Sequence, residues 1–163
     1  MRLSKKGIEL LHLRETIDGK PNLTAYQDTV GVWTIGYGNT FYTDGGTVKE
    51  GDKLTKKQCD DLFEEVLEEY FELPMQKLLG NIKLKQYEYD ALVSFCYNVG
   101  MSAFENSTML RLLKANKKLL ANKQFARWVF PKEITSRRKA ESRQFADIEH
   151  VTRADLDPIV GWC

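Results

Sequence analysis

The chain has 163 residues, 42% of them hydrophobic and 29% charged, with a formal net charge of +1. This length supports one domain with a real core, divided at most into two lobes, and not two independent domains. The charge balance gives no reason to expect a polyanionic partner. No apolar run approaches the roughly 18 residues that a membrane helix needs, so no membrane insertion is expected.

The N-terminal segment MRLSKKGIELLHLRE is basic, but Glu9 and His12 interrupt its apolar stretch. It lacks the apolar core of a signal peptide, so the expected location is the cytoplasm. Cys59, Cys96 and Cys163 are widely spaced, and His12 and His150 are the two histidines. This pattern fits neither a disulfide framework nor a zinc site. Cys59 and Cys96 fall on apolar helical faces and read as buried, reduced thiols. No metal and no cofactor are expected.

The first helix is predicted from Ser4, as N-cap, to Glu15. Ile8, Leu11 and Glu15 are spaced to share one face, which puts a carboxyl at the end of an apolar stripe. A loop with strong turn residues follows, from Thr16 to Asn22. Leu23 to Asp28 and Val32 to Tyr37 read as two strands joined by Thr29-Val30-Gly31. That turn pairs Asp28 with Val32 and Tyr26 with Thr34. Side chains alternate along a strand, so Tyr26, Asp28, Val32 and Thr34 share a face, and Asp28 lies diagonal to Thr34, within reach of a shared water. On the local pattern alone, an ordinary hairpin with a turn aspartate explains these residues as well.

Thr55 and Gln58 form a capping box that opens the longest helix. Cys59, Leu62, Phe63, Val66, Leu67, Tyr70 and Phe71 give it an apolar stripe. Pro74 kinks it or lies near its end, and Gly80 closes it. Gln86 to Val99 is apolar nearly all round and reads as a buried central helix stopped by Gly100. Asn106 or Ser107 caps a short helix carrying Met109, Leu110, Leu112 and Leu113. Further helices are predicted from about 118 to 130, stopped by Pro131, and from 134 to 145. No function is assigned to the 147–163 tail.

The stretch from Ala25 to Asp28, continued by Gly31-Val32-Trp33-Thr34-Ile35-Gly36-Tyr37-Gly38, resembles the signature of the phage lysozymes, the endolysin muramidases of glycoside hydrolase family 24. Three further pieces match in order. They are Tyr89 to Phe95 with Tyr97-Asn98-Val99-Gly100, then Phe104 with Ser107-Thr108-Met109-Leu110, then Trp128 with Arg137-Arg138-Lys139-Ala140-Glu141. Together they span roughly residues 7 to 146.

The resemblance implies an α+β, mainly helical, lysozyme-like fold. Residues 1–146 would form the catalytic domain. It would have a small hairpin lobe at about 16–54 and a helical lobe at about 80–146 with the first helix packed on it, and a long helix would join the lobes. It also implies a catalytic trio, with Glu15, Asp28 and Thr34 at the matching positions, and it suggests Tyr26, Arg137 and Arg138 as substrate contacts. Two departures stand out. Glu15 is followed by Thr16 rather than glycine and stands thirteen residues before Asp28, where the family has about nine. Asp18-Gly19 is therefore an alternative match for the family's Glu-Gly pair, although Glu15 is favoured by its place on the helix. Asn39 also stands where the family often has histidine.

The residue types suit glycoside hydrolysis, which needs a proton for the leaving oxygen and a water activator on the other face of the sugar. An apolar surrounding favours a carboxyl's acid form, which suits Glu15 as general acid, whereas Asp28 lies beside a solvated turn. The expected activity is an inverting muramidase that cleaves the bond between N-acetylmuramic acid and N-acetylglucosamine. It would act as a monomer on bacterial peptidoglycan, reaching the wall after membrane permeabilisation by a partner such as a holin. The alternative is a non-catalytic glycan-binding module of the same fold. The basic 132–143 stretch lacks any accompanying nucleic-acid-binding motif, so no nucleic-acid partner is expected.

Overall fold

The computed structural model describes residues 1–16 and 18–147. Cys163 and the remainder of the predicted tail lie outside the described residues. The elements run in the order α1 Lys5–Glu15, β1 Asn22–Gln27, β2 Trp33–Gly36, α2 Lys56–Val66, α3 Leu73–Leu79, α4 Gln86–Val99, α5 Met101–Glu105, α6 Thr108–Lys114, α7 Lys118–Asn122 and α8 Thr135–Phe145. The fold is mainly helical with one two-stranded antiparallel sheet, as expected. The chain divides into two compact units, one of residues 9–69 and one of residues 1–8 with 70–147.

In the 9–69 unit, the hairpin pairs Tyr26 with Thr34 and Gln27 with Trp33, the register read from the turn. Gly31 has φ +85°, a conformation costly for any residue with a Cβ, and this closes the turn. β1 also bonds to the chain around Lys53: Ala25 N–H donates to the Asp52 carbonyl and Leu54 N–H to the Leu23 carbonyl. Thr55 caps α2 with the predicted capping box, in which its hydroxyl accepts from Gln58 N–H and Gln58 reaches back to the cap backbone. Such a cap stabilises a helix by about 1 kcal/mol. Leu11, Ile35, Tyr37, Val48, Cys59, Leu62, Phe63 and Val66 form the core of this unit.

Between α2 and α3 the helical turn widens to a π-helix over Leu67–Glu72. Pro74 then occupies the first turn of α3. Proline cannot donate to the preceding turn and its ring crowds the carbonyl four residues back, so the wide turn lies where the regular ladder could not continue.

In the other unit, α4 is buried along nearly its whole length and packs against α8. Ser107 is the cap of α6 and accepts from Leu110 N–H. The helix expected over 118–130 is shorter than read. α7 ends at Asn122 and a 3-10 turn at Phe125–Arg127 replaces its continuation. That tighter turn sets Phe125 into the core, edge-on to Phe95 at 5.4 Å. Phe130, which precedes Pro131, lies outside any helix. Cys59 and Cys96 are free and buried, and burial raises both thiols above their ordinary pKa.

Candidate active site

Glu15, Asp28 and Thr34 all belong to the 9–69 unit. Glu15 is the last residue of α1. Its Oε1 atom is enclosed, and a Cβ built on Gly38 would stand 4.0 Å from its Oε2. Gly38, at φ +90°, thus brings the exit of β2 close to the carboxyl without a side chain in the way. The backbone N–H and the hydroxyl of Thr16 both donate to the His12 carbonyl, at 3.0 and 2.8 Å, closing the helix end that carries Glu15.

Asp28 begins the hairpin turn. Its Oδ1 accepts the backbone N–H groups of Val30 at 2.9 Å and Val32 at 2.7 Å. Its Oδ2 is enclosed and has no hydrogen-bond partner among the described residues. One oxygen is therefore spent on holding the carboxylate still, and the other remains an open acceptor. Thr34 is fully buried, and its hydroxyl donates to the Val32 carbonyl at 3.1 Å. With its proton so engaged, the hydroxyl oxygen retains acceptor capacity.

Asp18 lies in different surroundings. Its side chain is 54% exposed and ion-paired with Lys20 at 2.9 Å. The Lys20 ammonium and backbone N–H hold its pKa below the ordinary carboxylate value. Tyr26 is exposed on β1, opposite Thr34.

Arg137 and Arg138 are buried. Their side chains are 3% and 1% exposed. Arg137 Nε donates to Glu141 Oε1 at 3.0 Å and its Nη2 to the Ser94 carbonyl at 2.9 Å. Arg138 pairs with Glu141 Oε2 at 3.1 Å, donates to Asn98 Oδ1 at 2.6 Å and lies over the Phe95 ring. These bonds turn both guanidiniums inward, where they brace α8 against α4.

Reading the sequence missed His12 and marked Asn39 only as a departure from the family's histidine. The His12 ring stacks on Tyr37, and burial lowers its pKa from 6.5 to about 4 against an opposing influence from Asp60. Its position three residues before Glu15, on the same helical face, was the available signal. Asn39 is buried, and its Oδ1 has no hydrogen-bond partner among the described residues. Among those residues no group of three or more His, Cys, Asp or Glu side chains is gathered to hold a metal ion.

The phage lysozyme profile matches residues 18–141. The chain is 36% identical over 128 residues to the endolysin of Salmonella phage P22, covering 78% of this chain and 84% of that protein. It is 34% identical to the endolysin of Bacillus phage PZA, of which it spans 46%. Among solved structures, a P22 lysozyme mutant superposes with a TM-score of 0.75 at 33% identity, covering 90% of this chain and 99% of that one. The endolysin of Escherichia coli O157:H7 phage FAHEc1 gives a TM-score of 0.76 at 28% identity, covering 93% and 98%. On its hairpin signature, its fold and these similarities, the chain belongs to the phage lysozyme family.

Proposed function

We propose that this peptidoglycan hydrolase cleaves the glycosidic bond between N-acetylmuramic acid and N-acetylglucosamine with inversion at the anomeric carbon, and that Glu15, Asp28 and Thr34 carry the reaction. The observation that carries the reading is the Asp28 carboxylate. Two backbone N–H groups fix one oxygen, and the other is enclosed and unpaired.

In this mechanism Glu15 donates its proton to the glycosidic oxygen as the bond to the anomeric carbon breaks. A water on the opposite face of the ring gives a proton to Asp28 Oδ2 while its oxygen bonds to that carbon. Thr34 Oγ1 accepts the water's second hydrogen and so orients it. Inversion needs the two carboxyl groups about 6.5–9.5 Å apart to leave room for the water. Tyr26, exposed on the hairpin opposite Thr34, is proposed as a sugar contact.

Among the described residues no helix is long and apolar enough to cross a membrane. We propose that the protein acts as a monomer and reaches the wall from the cytoplasm once a pore-forming partner such as a holin has opened the membrane.

Turbidity of permeabilised Gram-negative cells, followed with proton NMR of the first product formed from isolated glycan strands, tests the reading. Clearing with an initial α-anomeric muramic acid end is expected. Binding to the wall without clearing would make the chain a glycan-binding module. An initial β-anomer would exclude inversion.

A further inference from the structure

Twelve residues lie between Glu15 and Asp28, and they include a loop with Gly19 and Pro21. A connection of this length and composition does little by itself to fix where the Glu15 carboxyl stands relative to the hairpin. A set of ring contacts joins the end of α1 to the exit of the hairpin. His12, one turn before Glu15 on the same helical face, lies flat on Tyr37 with ring centroids 3.7 Å apart and planes 5° from parallel. Phe63 of α2 meets both rings edge-on, at 4.4 Å from His12 and 5.3 Å from Tyr37.

Tyr37 is itself anchored. Its hydroxyl donates to Asp60 Oδ1 at 2.8 Å, and Lys56 holds Asp60 Oδ2 at 2.6 Å. Tyr37 also sits between Gly36 and Gly38, and Gly38 is the residue whose Cβ would approach Glu15 Oε2 at 4.0 Å. The last turn of α1 is therefore closed on itself by Thr16 at the His12 carbonyl, and the His12 ring ties it to the exit of β2.

We propose that the His12–Tyr37 stack is a positioning clamp, which seats the Glu15 carboxyl against the 36–38 turn and so sets it opposite Asp28 and Thr34. The inference rests on the reading of Glu15 as the general acid. A general acid works only within hydrogen-bond reach of the oxygen it protonates, and a misplacement of about 1 Å can cost about 10²-fold in rate. The stack suits this task because its rings are rigid and planar. Burial also keeps the imidazole neutral down to about pH 4, with Asp60 and Lys56 the charged groups that act on it. Removing one ring leaves α1 attached to its core through Leu11 but frees its last turn to shift.

The test compares His12→Leu, His12→Phe and Tyr37→Leu with Glu15→Gln on isolated glycan strands. Each is assayed well below its own melting temperature with folding verified by circular dichroism. His12→Leu and Tyr37→Leu keep apolar volume but lose the flat stack. Each should lower kcat about tenfold or more with KM within about twofold, and the double variant should be no worse than the poorer single one. His12→Phe restores a flat neutral ring and should return kcat to within about twofold of the parent protein. Parental kcat in His12→Leu beside an inactive Glu15→Gln overturns the clamp alone, as does a His12→Phe variant as impaired as His12→Leu. A Glu15→Gln variant of full activity removes the acid assignment on which the clamp depends. Should His12→Leu not fold, Tyr37→Leu and His12→Phe carry the same comparison.

Discussion

Asp28 Oδ1 accepts the backbone N–H of Val32 at 2.7 Å across the hairpin turn, and the same oxygen accepts Val30 at 2.9 Å. The turn therefore orients the carboxylate, whatever charge it carries. Asp28→Asn can retain both acceptor bonds through its amide oxygen while losing the negative charge. Hydrolysis should fall by about 10²-fold or more, with the melting temperature within a few degrees of the parent protein. Cell-clearing rates and thermal melts on the same preparations check this. A variant that loses both together would mark Asp28 as a turn residue only.

His12 links acidity to stability. Burial, its largest influence, lowers its pKa from 6.5 to about 4. As pH falls below 6.5 the unfolded chain takes up the proton while the folded imidazole stays neutral. Stability is therefore full above pH 6.5 and declines as pH drops from 6.5 towards 4. The ring is only half-buried, so solvent screening reduces the effect to about 1–2 kcal/mol. His12→Phe should flatten that part of the profile. Urea midpoints measured from pH 7 to pH 4 would show the difference, and parallel profiles for the two proteins would count against it.

Much of this fold is local in origin and was therefore legible. The glycine turn and the alternating strands set the Tyr26–Thr34 register, and Thr55 with Gln58 announced the start of α2. The site was legible in its hairpin half for the same reason. What escaped depends on partners far apart in sequence. His12 meets Tyr37 and Phe63 only once the 9–69 unit has folded. The inward bonds of Arg137 and Arg138 also escaped, because nothing in the sequence shows that Ser94 and Asn98 of α4 receive them.

The Arg137–Glu141–Arg138 network carries its own prediction. Glu141 is fully buried and is the carboxylate shared by two buried guanidiniums. Glu141→Ala leaves both charges without that partner in a low-dielectric core, a change that typically destabilises by about 3–5 kcal/mol. Chemical denaturation should show a loss of this order. Activity per folded molecule should stay close to that of the parent protein, and an undiminished midpoint would show that the network contributes little.

The assignment of the proton donor separates two acidic residues close in sequence. Glu15 ends α1 with one carboxyl oxygen enclosed and the other facing Gly38. Asp18 is exposed, and Lys20 holds its carboxyl below the ordinary pKa, so it gives up its proton more readily than a free aspartate. A general acid must hold a proton when substrate arrives, which Lys20 opposes at Asp18. Glu15→Gln is nearly isosteric and removes only the acid function, so turnover should drop about 10²-fold or more. Asp18→Asn should cost no more than a few-fold, since it breaks one exposed, solvent-screened ion pair. Side-by-side kcat values on isolated glycan strands decide the matter. If Asp18→Asn is the inactive variant and Glu15→Gln the active one, the family's glutamate corresponds to Asp18 and the donor lies in the 16–22 loop rather than at the end of α1.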